Sequence, residues 1–132
     1  GWMVRQTEQD KEQIISALDV CKIAYLKSKR MSQLSDGERQ KVYLAKAIAQ
    51  NTELIILDEP TTHLDIKSSN SIFKLIENQK VAGRTVLFSS HQVDRALSIA
   101  DKVWIVDCGR VIEITPDQFF ESTELRKKIY GE

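Results

Sequence analysis

Apolar residues recur along the first part of the chain at helical intervals. From about Glu8 to Lys27 the positions Ile14, Leu18, Cys21 and Tyr25 share one stripe, which predicts an amphipathic helix with one buried face, ended by the basic run Lys27–Arg30. Ser35-Asp36-Gly37-Glu38 has the Ser-x-x-Glu form of a capping box, so a second helix is predicted from there to about Gln50. Beyond it the pattern changes to short apolar runs separated by helical segments. Leu54-Ile55-Ile56-Leu57 is apolar at every position, as a parallel strand covered on both faces should be. Residues from about Lys67 to Val81, with Ile72, Leu75 and Ile76 inward, predict a helix that stops before Gly83, and Thr85–Phe88 the next strand. Val93, Ala96, Leu97 and Ala100 have helical spacing again. Val103–Val106 and Val111–Ile114 flank Asp107-Cys108-Gly109-Arg110, which reads as a hairpin with Gly109 free to take a positive φ. Strands alternating with helices predict an α/β fold, a mainly parallel sheet with flanking helices, preceded by a helical subdomain.

Composition narrows the classes of function without choosing one. The 132 residues are 42% hydrophobic and 29% charged, enough to bury a core. The 19 basic residues balance the 19 acidic ones, which removes any global electrostatic drive toward nucleic acid or anionic membrane; no nucleic-acid partner is expected. Cys21 and Cys108 lie in no metal-ligand spacing, so a reduced, cytoplasmic compartment is expected. The longest apolar runs fall far short of the roughly 20 residues that span a bilayer, no signal peptide opens the chain, and the chain is not expected to cross a membrane itself. With 5 Gly and 2 Pro there is no linker-like stretch, and one unit is expected.

The chemistry gathers where strands end. In open α/β sheets ligands bind beyond the carboxyl ends of the strands. The first strand runs into Asp58-Glu59-Pro60, two adjacent carboxylates that call for a cation: in phosphoryl chemistry one carboxylate holds Mg²⁺ while the second orients or deprotonates the attacking water. An acidic turn after a strand reads the same way. The second strand ends in Ser89-Ser90-His91, placing a histidine at the same rim, where a purely structural histidine would also fit. Ser35-Asp36-Gly37 at a helix start offers a hydroxyl, free N–H groups and the positive dipole end, which favour a phosphate; alone it is a well-capped helix.

The order of these elements carries more than any one of them. Leu34-Ser35-Asp36-Gly37-Glu38, Leu54 to Pro60, Thr61-Thr62-His63-Leu64-Asp65 and Ser89-Ser90-His91 together resemble the signature, Walker B, D-loop and switch-histidine series of the ATP-binding-cassette (ABC) ATPases. The resemblance extends from about Glu8 through Arg39-Gln40 to Ala100-Asp101-Lys102-Val103 and Gly109. It implies the C-terminal portion of a P-loop NTPase fold, with part of the helical subdomain in 1–50 and part of the ATPase core in 51–132. It also implies that two cassettes close head to tail around two ATP molecules. On that basis Asp58 would hold Mg²⁺, Glu59 would be the general base, and His91 would reach the γ-phosphate of the chain's own ATP. Ser35 and Gly37, with Glu38 beside them, would meet ATP bound by a second ATPase subunit, and Asp65 would couple the two sites.

Two residues depart from the family's usual Leu-Ser-Gly-Gly-Gln. Asp36 replaces the first Gly, so its carboxylate must point away from the phosphate or weaken the contact; Glu38 replaces Gln and completes the capping box equally well. A larger departure is that no Gly-Lys pair occurs, so the Gly-x-x-x-x-Gly-Lys-Ser/Thr phosphate loop is missing from the sequence. A fragment of a longer protein is expected, inactive alone and self-associating through uncovered strand edges. The resemblance implies a parent that works at the cytoplasmic face of a membrane against transmembrane permease subunits. The stretch Thr7–Leu18 followed by Leu34–Gln40 looks like the importers of ferric siderophores, haem and vitamin B12. The alternatives are a DNA-repair or chromosome-maintenance ATPase, against which residues 8–30 show no sustained heptads, and a non-catalytic interaction module.

Overall fold

A computed structural model describes residues 7–131. Helix α1, Glu8–Val20, starts at a Thr7/Asp10 capping box and ends well before the expected Lys27. Its end is a Schellman motif: Lys22 takes φ 56°, its N–H donates to the Asp19 carbonyl, and the Ile23 N–H donates to the Leu18 carbonyl. The reversal turns Cys21 and Ile23 into the core, at 1% and 0% exposure, and leaves Tyr25 at 63% exposure, off the apolar stripe the helical spacing assigned it. Helix α2, Asp36–Ala49, follows a Ser35 N-cap, and its Leu44, Ala45 and Ile48 are buried.

Strand β1, Leu54–Leu57, passes through helix α3, Ile66–Val81, to strand β2, Thr85–Phe88, which pairs with β1 in parallel: Leu54 lies opposite Thr85 and Leu57 opposite Phe88. Asp65 caps α3, and Gly83 at φ 86° turns the chain after it. Ile55 joins one core with Ala17, Cys21, Leu34, Leu44, Ile48 and Leu75, and Leu57 and Val86 pack against it. Phe73 meets Phe88 edge to face at 6.1 Å between centroids.

The expectation that β1 is covered on both faces is corrected. Leu54, Ile56 and Leu87 share the opposite face of the sheet and are 48%, 66% and 40% exposed. Among the described residues the parallel sheet has two strands, and the core holds only its Ile55 face.

The chain divides into two compact units between His91 and Gln92, where the scarcity of Gly and Pro pointed to one. In the second unit helix α4, Val93–Leu97, is shorter than the spacing suggested. Strands β3, Val103–Asp107, and β4, Arg110–Ile114, form the expected antiparallel hairpin. Its two-residue loop has Cys108 at φ 46° and Gly109 at φ 76°, the paired positive values of a type I′ turn. Helices α5, Pro116–Glu121, and α6, Thr123–Tyr130, complete the unit around Leu97, Ile105 and Phe119. Among the described residues no helix is long and apolar enough to cross a membrane.

Candidate functional site

Parallel pairing brings Asp58 and Ser89 to the same rim, each one residue beyond its strand. The Ser89 N–H extends the ladder to the Leu57 carbonyl at 3.1 Å. Its hydroxyl then serves both carboxylate residues, donating to Asp58 Oδ1 at 2.7 Å and accepting the Glu59 N–H at 2.7 Å. Glu59 sits at φ 47°, a left-handed conformation that costs a non-glycine residue about 1–3 kcal/mol and persists only when its surroundings hold it. Here they do: besides Ser89, the Thr62 hydroxyl donates to Glu59 Oε2 at 3.0 Å and the Thr62 N–H to the Glu59 carbonyl at 3.1 Å. His91 approaches the other oxygen, its Nε2 3.1 Å from Glu59 Oε1, while its own side chain is 90% exposed. The buried Pro60 and Thr61 anchor this turn.

Asp58 is exposed, with Oδ1 fixed by Ser89 and Oδ2 without a partner among the described residues. Among those residues no group of three or more His, Cys, Asp and Glu is gathered as a metal cage. One oriented carboxylate with a free oxygen suits Mg²⁺, which keeps most of its waters and takes further oxygens from phosphates.

The second set of predicted residues lies at two helix starts. The Ser35 hydroxyl accepts the Glu38 N–H at 3.2 Å and Glu38 Oε2 accepts the Ser35 N–H at 3.0 Å, the expected capping box. The other Glu38 oxygen accepts from the Tyr25 hydroxyl at 3.0 Å. Hydrogen bonds from the Ser35 backbone, then from Tyr25, hold the Glu38 carboxyl below the usual range, and the same contact pushes the Tyr25 phenol up. Asp36 turns along its own helix to Arg39, Oδ1 to Nη2 2.5 Å, which answers the question its charge raised: the carboxylate is paired with a cation on the same helix. At the other start Asp65 accepts the Ser68 N–H on Oδ1 at 2.9 Å and the Ser68 hydroxyl on Oδ2 at 2.8 Å, and the backbone contact leads in lowering its pKa.

The structure therefore joins Asp58, Glu59 and His91 in one network and sets Ser35, Gly37, Glu38 and Asp65 in helix caps. No hydrogen bond among the described residues links the two sets. Sequence reasoning missed Ser89 as the bridge, Thr62 as a second brace, and Asp65 as a cap. Asp65-x-x-Ser68 was a visible N-cap signal. Ser89 was not, because only the strand register sets it opposite Asp58.

The family model for ABC transporters matches residues 2–62. A hemin import ATP-binding protein, HmuV of Rhodococcus jostii, is 32% identical over 126 residues, 96% of this chain and 43% of its own length. The phosphonates import ATP-binding protein PhnC of Bordetella parapertussis is 36% identical over 132 residues, 99% of this chain and 51% of its own length. An inward-facing ABC transporter described as of metal-chelate type superimposes with a TM-score of 0.89 at 25% identity, covering 99% of this chain and 52% of that one. The fold is thus part of a P-loop NTPase of the ABC class. The chain belongs to the ABC ATPase family, and it spans about half the length, or less, of the curated relatives it matches.

Proposed function

We propose that this chain supplies the signature, Walker B, D-loop and switch-histidine part of an ATP-hydrolysing subunit that drives an ABC importer. The observation that carries the reading is the Asp58–Ser89–Glu59–His91 network at the rim of two parallel strands. Asp58, with Oδ2 open, is the residue that would hold Mg²⁺ arriving with ATP, and the metal would offset charge on the phosphates. Glu59 accepts the proton of the attacking water, its left-handed backbone and Thr62 aiming the carboxylate. His91 contacts the γ-phosphate from its exposed position. Ser35 and Gly37, on the helix held by the Glu38 cap, face ATP on a second ATPase subunit, where free N–H groups and the helix dipole favour an anion. Asp65 reaches the same interface. In this reading 1–50 belong to the helical subdomain and 51–132 to the ATPase core, working at the cytoplasmic face of the membrane against permease subunits.

An iron complex or related cofactor is the cargo we favour, on the 32% identity to the hemin importer, beside the 36% identity to a phosphonate importer. The 132 residues alone neither bind MgATP tightly nor turn it over, because the sequence has no Gly-Lys phosphate loop to cradle the β- and γ-phosphates. One exposed helix N-terminus contributes only about 0.3–1 kcal/mol, less than a tenfold gain in affinity. Calorimetric titration of the chain and of the intact cassette with MgATP tests both halves: tight binding by the cassette alone is expected. Micromolar binding by the isolated chain would overturn the assignment of phosphate binding elsewhere, and a cassette that binds without hydrolysing would overturn the catalytic reading.

A further inference from the structure

Gly37 is the second residue of α2, and its backbone is not among the positive-φ glycines, which are Gly83, Gly109 and Gly131. Conformational freedom therefore does not explain a glycine there. Space does. A Cβ on Gly37 would stand 2.8 Å from the Ser68 Oγ and 3.1 Å from its Cβ, distances at which the Ser68 side chain, or the helix start that carries it, must shift. Ser68 is the third residue of α3, and its hydroxyl is already committed to Asp65 Oδ2 at 2.8 Å. The same side chain thus fills the gap beside the signature glycine and holds the D-loop aspartate. We propose that Ser68 is a positioning residue that keys the start of α2 onto the start of α3, so that Gly37 and Asp65 present to the partner subunit as one rigid piece. This rests on the function proposed above, and it assigns Gly37 a role within its own chain besides its approach to nucleotide.

The contact makes a prediction of unusual sign. Gly→Ala inside a helix ordinarily raises stability, because Ala restricts the unfolded chain and favours the helix. Here Gly37→Ala lowers the melting temperature, and adding Ser68→Gly, which removes both clashing atoms, lifts it again. In turnover by the intact cassette, Gly37→Ala lowers kcat by roughly tenfold, and the double variant, relieved of the clash but without the Ser68 hydroxyl, recovers only to the level of Ser68→Ala. Ser68→Ala keeps the backbone cap of Asp65 but loses the hydroxyl bond; it lowers kcat a fewfold, leaving KM and the melting temperature close to wild type.

The two readouts separate failures. A double variant that melts no higher than Gly37→Ala alone overturns the inference whatever the activity, because melting does not depend on nucleotide. Normal melting compensation with no ATP turnover by the wild-type cassette leaves the packing of Gly37 on Ser68 standing and overturns its role in hydrolysis together with the proposed function. A Ser68→Ala cassette as fast as wild type overturns Ser68 as a positioning residue, and a double variant that recovers melting but remains as slow as Gly37→Ala overturns the keying and returns Gly37 to nucleotide contact alone.

Discussion

His91 Nε2 lies 3.1 Å from Glu59 Oε1, the histidine three residues beyond the second strand and the carboxylate two beyond the first. Glu59→Gln keeps the shape of that side chain and removes its basicity. In the intact cassette we expect ATP to bind and the closed dimer to accumulate while turnover drops by about 10²–10⁴-fold, the range for losing a general base. His91→Ala should reduce turnover less. Steady-state ATPase assays decide it, and a Glu59→Gln enzyme as fast as wild type refutes the assignment.

Ser89 links the two carboxylate residues through one hydroxyl. Ser89→Ala leaves the strained Glu59 backbone with one brace fewer and frees Asp58. We expect a loss of about 1 kcal/mol in stability, the typical net worth of an intramolecular hydrogen bond, together with slower turnover. Ser89→Thr, which retains the hydroxyl, should restore both. Thermal melts and kcat measured side by side would expose a Ser89 that is only a surface serine if the Ala variant matched wild type in each.

Leu54, Ile56 and Leu87 form an exposed apolar face on a two-stranded sheet whose outer edges are open among the described residues. The isolated chain should self-associate through it. Replacing Ile56, at 66% exposure, with Lys should shift the species toward monomer without unfolding. Light scattering that finds a strict monomer for the unsubstituted chain at high concentration contradicts this.

Burial pushes the Cys21 thiol up to about 11 against the opposing influence of Lys41, while Cys108 is exposed in the hairpin turn. Only the thiolate reacts with alkylating reagents. Near pH 8 the native chain should therefore take up one equivalent of iodoacetamide, at Cys108, and a second only in denaturant. Rapid native labelling of Cys21, read by peptide mass, would show that the Schellman turn after α1 opens.

Asp65 and Glu38 have carboxyls held low by their capping contacts, with hydrogen bonds from Ser68 and Ser35 leading. A lowered native pKa stabilises the fold above the unfolded-state value and loses that contribution as pH falls through the native one. Helix loss by circular dichroism should therefore set in below about pH 4, the unperturbed carboxylate range. Asp65→Asn and Glu38→Gln, which keep acceptors without the titrating proton, should flatten that acid limb; an unchanged limb removes these caps as its source.

Motifs that depend on neighbours in sequence were legible. Ser35 and Glu38, three residues apart, can only meet across a first helical turn, and they do. The hairpin at Asp107-Cys108-Gly109-Arg110 was visible because Gly109 can supply a positive φ, although the positive φ of Cys108 beside it was not. The end of α1 was not: Lys22 adopts the left-handed conformation without being glycine, and the helical spacing of Tyr25 continued past the real stop. The covering of β1 was misjudged for a related reason, since an apolar strand has the same sequence whether one face or both are packed.

The sequence by itself determined the series of motifs, the family they point to, and the missing Gly-Lys pair, because each is a matter of residue order or of local capping chemistry. Only the tertiary structure decided that Ser89 joins Asp58 to Glu59 and that Ser68 occupies the space beside Gly37. Strand register and helix crossing bring together residues about 30 apart in the chain, and their contacts depend on ångström-scale packing that periodicity does not encode.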